Sequence, residues 1–298
     1  MQSVSTVSLP SIRARLAAYV NLMKPHVTVL LLGTTLAAMA VASSGHLTLV
    51  VTLATMIGGA MAAGSANAIN CYWDRDIDVI MARTRTRTLP SGRLTEAQAL
   101  TFGLVLGAAS FAVFSIFVNL LSALLALSAI VFYVVVYTMW LKRTTPHNIV
   151  IGGAAGAVPV LVGWAAATNS VGLTAIWMFL IIFFWTPPHF WALSLVLKKD
   201  YERAGVPMLP VVKGERETYK QILLYSVVLI LVSLGLFASR AMGYVYLASA
   251  LVLGGILLGY AIWLARRRTL KSARTVFWMS NNYLALLFAM MVLDRVLR

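Results

Sequence analysis

The feature that most constrains this chain is the repeated return of long apolar stretches, too many and too close together to be the elements of a water-soluble core. At about 20 apolar residues per bilayer crossing, nine spans fit, at about 26–43, 47–69, 99–117, 120–141, 149–168, 173–196, 220–239, 243–264 and 275–293. Only 11% of the 298 residues are charged, while 60% are hydrophobic; soluble domains carry roughly 25% charged residues. The spacing therefore predicts an all-α polytopic membrane protein. A net charge of +15 would suit a polyanion, but here the positives sit in short connections between spans, so nucleic acid is not the expected partner.

The charge distribution tests the span count. With the N-terminus cytoplasmic, every Lys and Arg except Arg240, Arg295 and Arg298 falls on the cytoplasmic side. A wrong count would scramble that bias. The expected organisation is a cytoplasmic segment 1–25, a membrane domain 26–293 and a short periplasmic tail 294–298. Residues 1–21 lack the apolar core and small-residue cleavage site of a secretory signal. The single cysteine, Cys71, leaves no intrachain disulfide framework and no multi-Cys metal site. The bilayer is the expected surrounding. The charge bias and short polar N-terminus suit a bacterial inner membrane, or an organelle counterpart whose targeting peptide has been removed.

Acid is scarce and confined. Eight of the nine Asp and Glu residues lie in two long cytoplasmic segments, about 70–98 and 197–219; connections longer than about 12–15 residues are usually functional or disordered. In the first, Asn70, Asp74 and Asp78 recur at i, i+4 and i+8. On a helix they share one face with a drift of about 40° per step, and Asp76 points elsewhere. Three oxygen-bearing side chains in one stripe suit a hard divalent cation such as Mg²⁺, which takes one or two carboxylates and completes its shell with water and phosphate oxygens. The plainer alternative is a capped helix end among lipid headgroups.

Arg83, Arg85 and Arg87 follow the stripe, and the guanidinium fork suits a metal-bound diphosphate; equally, they could be topogenic charges facing anionic lipid. Lys142 and Arg143 close span four at the same face, with Tyr133 and Tyr137 one and two turns inside. Span six ends in Trp185-Thr186-Pro187-Pro188-His189-Phe190-Trp191. Two prolines at membrane depth predict a broken helix, with His189 lining a polar cavity. Asp200, in the second segment, is the nearest candidate for a second metal carboxylate, and Lys199 beside it is a further candidate for diphosphate. The small-residue run 151–157 predicts close helix packing or room for a flat ligand beside Trp164. His26 and His147 stand at the starts of spans one and five.

At these residues the chain resembles the UbiA-type intramembrane prenyltransferases, whose first metal motif, N-x-x-x-D-x-x-x-D, corresponds to Asn70, Asp74 and Asp78. Within that superfamily it is most similar to the branch that acts on haem, the protohaem IX farnesyltransferases (haem O synthases). The segments carrying the likeness are Lys24-Pro25, Asp74 to Asp78 with Met81 and Arg83-Thr84, Tyr137-Thr138 with Leu141-Lys142-Arg143, and Asn148 through Gly163-Trp164. The most specific are Pro187 to Leu193 and Ala204 to Pro210. The likeness spans about residues 20–290. Thr88 and Val160 stand where that branch is expected to carry proline, and His189 near where most of the superfamily has a further carboxylate.

The resemblance implies nine helices around a cavity open to the cytoplasm and Mg²⁺-dependent transfer of farnesyl from farnesyl diphosphate to a vinyl group of haem b, with hydration, giving haem O. It implies that Asn70, Asp74, Asp78 and Asp200 hold metal, that Arg83, Arg87, Tyr137, Lys142, Arg143 and Lys199 meet the diphosphate substrate, and that His26, His147, His189 or Trp164 meets haem. Haem A synthase or oxidase assembly factors would be partners. Two alternatives stay open: prenylation of an aromatic acid in quinone synthesis, and a non-catalytic haem carrier. The carrier needs no carboxylate stripe.

Overall fold

The computed structural model describes residues 11–298, so residues 1–10 of the expected N-terminal segment lie outside the described residues. The rest of that segment is largely a helix, α1 (Ile12–Leu22), capped by the Ser11 hydroxyl. It buries Ala18 and Leu22 against the helix bundle and leaves Ile12, Leu16 and Val20 exposed.

Among the described residues, nine helices are long and apolar enough to cross a membrane. They are α2 (Pro25–Ala42), α3 (Leu49–Trp73), α5 (Glu96–Phe117), the run Leu120–Thr144, α8 (Asn148–Thr168), α9 (Leu173–Val196), α12 (Gly214–Ala238), α13 (Tyr244–Arg267) and α14 (Leu270–Val296). This is an integral membrane protein. The run Leu120–Thr144 is three pieces: α6 (Leu120–Val131), a π-helical segment (Phe132–Leu141) and one last turn, α7 (Lys142–Thr144). The wide turn was not legible in the apolar pattern, which fits α and π windings equally.

The two long acid-bearing segments between spans are ordered. The first continues from α3 into α4 (Arg75–Ile80) and a series of turns. The second holds α10 (Lys198–Arg203) and α11 (Leu209–Val212). Each long helix packs on its chain neighbour, and α14 also reaches α2 and α9, so the last span closes a ring with the first. Thr, Ser and Gly fill the closest crossings, as helices surrounded by lipid require. Gly163 is one such position: a Cβ there would run into the backbone carbonyl of Thr35 on α2.

The break expected in span six is absent. α9 runs without interruption through Pro187 and Pro188. An interior proline costs about 3 kcal/mol or more, but Trp185 through His189 are all buried, and packing against α8, α12 and α14 holds the helical path. Tertiary context overrides the local signal.

Candidate active site

The acid stripe survives a change of helix. α3 ends at Trp73 and Asp74 takes a turn conformation, yet the amide of Asp74 bonds to the Asn70 carbonyl (2.9 Å) and that of Asp78 to the Asp74 carbonyl (2.8 Å). Helical register is kept across the junction, so all three side chains share one side and all are buried, Asp74 and Asp78 at 1% exposure.

Each member of the stripe is met by a cation. Lys24 Nζ donates to Asn70 Oδ1 (2.8 Å), and Asn70 Nδ2 donates to Asp74 Oδ2 (2.8 Å) and to Thr138 Oγ1 on the π-helical segment (3.1 Å). Lys142 Nζ donates to Asp74 Oδ2 (2.5 Å). Arg87 Nη1 bridges both oxygens of Asp78 (3.0 and 2.9 Å). Arg143 forks onto Asp76 with two 2.8 Å bonds and reaches the Trp73 carbonyl at 3.1 Å. That fork draws the Asp76 carboxyl down to about 2. Burial lowers the Lys24 ammonium pKa from its usual value.

One acceptor is left over. Among the described residues, Asp74 Oδ1 is buried without a hydrogen bond; Arg143 Nη2 lies 3.6 Å away. A buried unpaired carboxylate oxygen costs several kcal/mol unless something compensates it. With the Asn70 amide oxygen and Asp78 beside it, this all-oxygen set fits a small hard divalent cation.

The two long connecting segments meet over the stripe. Ile77 and Met81 from the first pack with Tyr201, Val206, Met208 and Leu209 from the second, and Tyr137 joins them. Arg83 lies against the Tyr201 phenol, whose pKa is raised by burial against the pull of Arg83 and Arg87. A cavity of about 170 Å³ at this junction is lined by Asp76, Ile77, Ile80, Arg143, Ala204, Gly205 and Val206. Below the stripe, Tyr133 and Tyr137 stack at 5.4 Å, and Gly152 on α8 lies against Tyr137. One turn farther along α8, a Cβ at Gly156 would meet no atom within 4 Å, so the wall opens there.

Other candidates lie elsewhere. Asp200 is buried but pairs with Arg203 in its own turn, and Lys199 is exposed. Among the described residues no three of His, Cys, Asp and Glu gather as a metal group; the stripe offers two carboxylates and an amide. Trp164 packs against Gly172 and lies sixteen residues beyond the start of α8 at Asn148, about 24 Å along the axis, at the end of the bundle away from the stripe. His26 and His147 are exposed. His189 is buried, stacked between Trp185 and Phe277 at centroid distances of 4.2 and 4.5 Å. It sits in an unbroken helix, not at the broken end that the prolines predicted.

Two residues escaped sequence reasoning. Lys24 enters the sequence reading only in the charge count and in the Lys24-Pro25 likeness, with no site role; its αL conformation (φ 50°), directly before Pro25 at the start of α2, turns it inward. Asp76 was set aside because it points away from the stripe, and it is the residue that holds Arg143.

The UbiA prenyltransferase family model matches residues 31–286. Two relatives named protoheme IX farnesyltransferase are similar over nearly their whole length. One, from Gloeobacter violaceus, is 52% identical over 290 residues, 97% of this chain and 95% of the relative. The other, from Symbiobacterium thermophilum, is 55% identical over 279 residues, 93% of each. Among solved structures, a digeranylgeranylglyceryl phosphate synthase superposes with a TM-score of 0.78 at 17% identity, covering 95% of this chain and 99% of that one. A UbiA homologue from Archaeoglobus fulgidus bound to GPP and Mg²⁺ gives 0.67 at 17% identity, over 92% and 99%. These two likenesses carry the fold.

Proposed function

Because the chain belongs to the UbiA prenyltransferase family, we propose that it transfers the farnesyl group of farnesyl diphosphate to a vinyl group of haem b, with addition of water, to give haem O. The observation that carries the acceptor is the identity of more than half of all aligned residues to relatives named for that reaction. The chemistry balances as farnesyl diphosphate, haem b and water giving haem O and pyrophosphate. The C1–oxygen bond of the diphosphate breaks, the terminal vinyl carbon bonds to C1, and water adds at the carbon next to the ring with loss of a proton.

Asn70, Asp74 and Asp78 would hold Mg²⁺. When bound, it neutralises charge on the departing pyrophosphate, the largest electrostatic demand of such a step. The protein's own groups do the rest. Lys24, Lys142 and Arg87, paired with the stripe, become the cations that balance diphosphate once those oxygens have another partner. Arg143 remains fixed by Asp76, and Arg83 is presented by Tyr201. The stacked Tyr133 and Tyr137 offer π-faces to an allylic cation, which water would otherwise capture as farnesol. Asp200, bound to Arg203, is the weaker candidate for a second ion.

The test is a single turnover of purified protein with haem b, farnesyl diphosphate and Mg²⁺, with extracted pigments read by mass spectrometry. The expected product is heavier by a farnesyl group plus water and disappears with EDTA. Prenylation of 4-hydroxybenzoate with no haem product would keep the family and overturn the acceptor.

A further inference from the structure

Five cations stand within nine residues at the connection between the last two spans: Arg266, Arg267, Arg268, Lys271 and Arg274. All five are exposed, and the chain holds nothing to neutralise them. Of its nine acids, eight pair with other cations. The ninth, Asp294, accepts the Gly243 and Tyr246 amides at the far end of α14. Residues 1–10 contain no acid. The balancing charge therefore comes from outside the chain.

The cluster borders a cavity at the end of the bundle that carries the stripe. Arg268 closes α13 in the αL conformation (φ 52°), and α14 begins two residues later behind a capping box of Thr269 and Ser272. Beside this turn a cavity of about 220 Å³ is lined by Arg268, Thr269, Leu270 and Ala273, and across from them by Tyr219, Glu215 and Leu195. The one carboxylate on its wall, Glu215, is already met by Lys198 Nζ (3.1 Å) and the Tyr219 hydroxyl (3.3 Å). Arg268 Nε donates to the Ala265 carbonyl (3.1 Å), and the other end of its guanidinium is left to an anion. Lys271, Arg274 and Trp278 recur at i, i+3 and i+7, on one exposed face of α14. The indole is 60% exposed and lies about 10 Å along the helix from Lys271. Exposed tryptophan marks the membrane–water boundary, so the cations above it stand at the level of lipid phosphates. Basic pockets between transmembrane helices at that level suit anionic headgroups.

We propose that the α13–α14 turn binds the headgroup of an anionic phospholipid, with Arg268 at the cavity, the other four cations around it, and the acyl chains along the exposed face of α14. A soluble polyanion would meet the same charges but would have no use for the indole below them.

The test is native mass spectrometry of the purified full chain in detergent, titrated with phosphatidylglycerol or phosphatidylcholine. Wild type is expected to retain phosphatidylglycerol in preference. Neutralising the cluster (Arg266→Gln, Arg267→Gln, Arg268→Gln, Lys271→Gln and Arg274→Gln together) is expected to weaken phosphatidylglycerol binding at least about tenfold and to leave phosphatidylcholine unchanged, at about fivefold per well-placed cation. Arg268→Gln alone changes one exposed side chain and is expected to weaken it about fivefold. A control that removes five exposed charges elsewhere (Arg13→Gln, Arg15→Gln, Arg85→Gln, Lys213→Gln and Arg216→Gln) is expected to keep the preference. No preference in wild type, a preference that survives in the cluster variant, or an equal loss in the control would each overturn the site. Displacement of the bound lipid by an equal concentration of inorganic phosphate would make the ligand a soluble anion and overturn the lipid.

Discussion

Asp74 carries two loads on one carboxylate. Its Oδ2 is saturated by Asn70 and Lys142 while its Oδ1 has no hydrogen bond. Removing Lys142 leaves a buried charge without its partner, a loss of about 3–5 kcal/mol in comparable pairs. Lys142→Ala is therefore expected to lower the thermal midpoint in detergent markedly, and Asp74→Ala in the same chain to restore most of it. Simple additivity of the two losses would show that the pair is not coupled. Asp74→Ala alone should abolish farnesyl transfer while haem binding, read from the visible spectrum, survives. Near-normal turnover would remove the metal role from Asp74. The spacing of Asn70, Asp74 and Asp78 is local information and was legible in the sequence. Their cations were not, because Lys24 reaches Asn70 across 46 residues and Lys142 reaches Asp74 across 68.

At the scale of the element, α8 and α9 show where pattern reading succeeds and where it fails. Small residues in span five announced close packing, and Gly153 against Thr186 with Gly163 against Thr35 are such approaches. The sequence could not say which glycine faces a neighbour and which faces space. Gly163→Ala meets a backbone oxygen that cannot swing aside, so it should destabilise by about 1–3 kcal/mol. Gly156→Ala meets nothing within 4 Å and gains about 0.4–1 kcal/mol from a less flexible unfolded chain. Thermal melts of the two variants should therefore move in opposite directions. The double proline misled for the complementary reason: proline reports the missing N–H of its own residue, whereas the path of α9 is decided by what packs around it. The π-helical segment left no local trace, yet it presents Thr138 to Asn70, and such insertions recur at functional sites.

Across the whole molecule, hydropathy and charge were enough for the span count because each crossing is specified within its own residues and each connection by its own lysines and arginines. The predicted orientation has a direct check. In a Cys71→Ser background, a membrane-impermeant maleimide applied to intact cells should label Ser170→Cys and spare Ser91→Cys, both exposed positions at opposite ends of the bundle. The reverse pattern would invert the topology. What required the folded chain was the meeting of distant parts: Tyr201 over Arg83 and His189 against Ser280 join segments that no periodicity relates.

The contact of α14 with α2 and α9 gives the site a history as well as a shape. Every partner of Asn70 and Asp74 lies between Lys24 and Arg143, so that half can assemble when the first four spans are in the membrane. Ser280 and Phe277, which hold one edge and one face of His189, belong to the last span. At about 5–20 residues per second, the ribosome needs roughly another 8–30 s to reach the end of α14. The newborn chain thus passes through an interval in which its acid-and-cation half is built while His189 still lacks its Ser280 and Phe277 contacts, and only completion of the final helix joins the two.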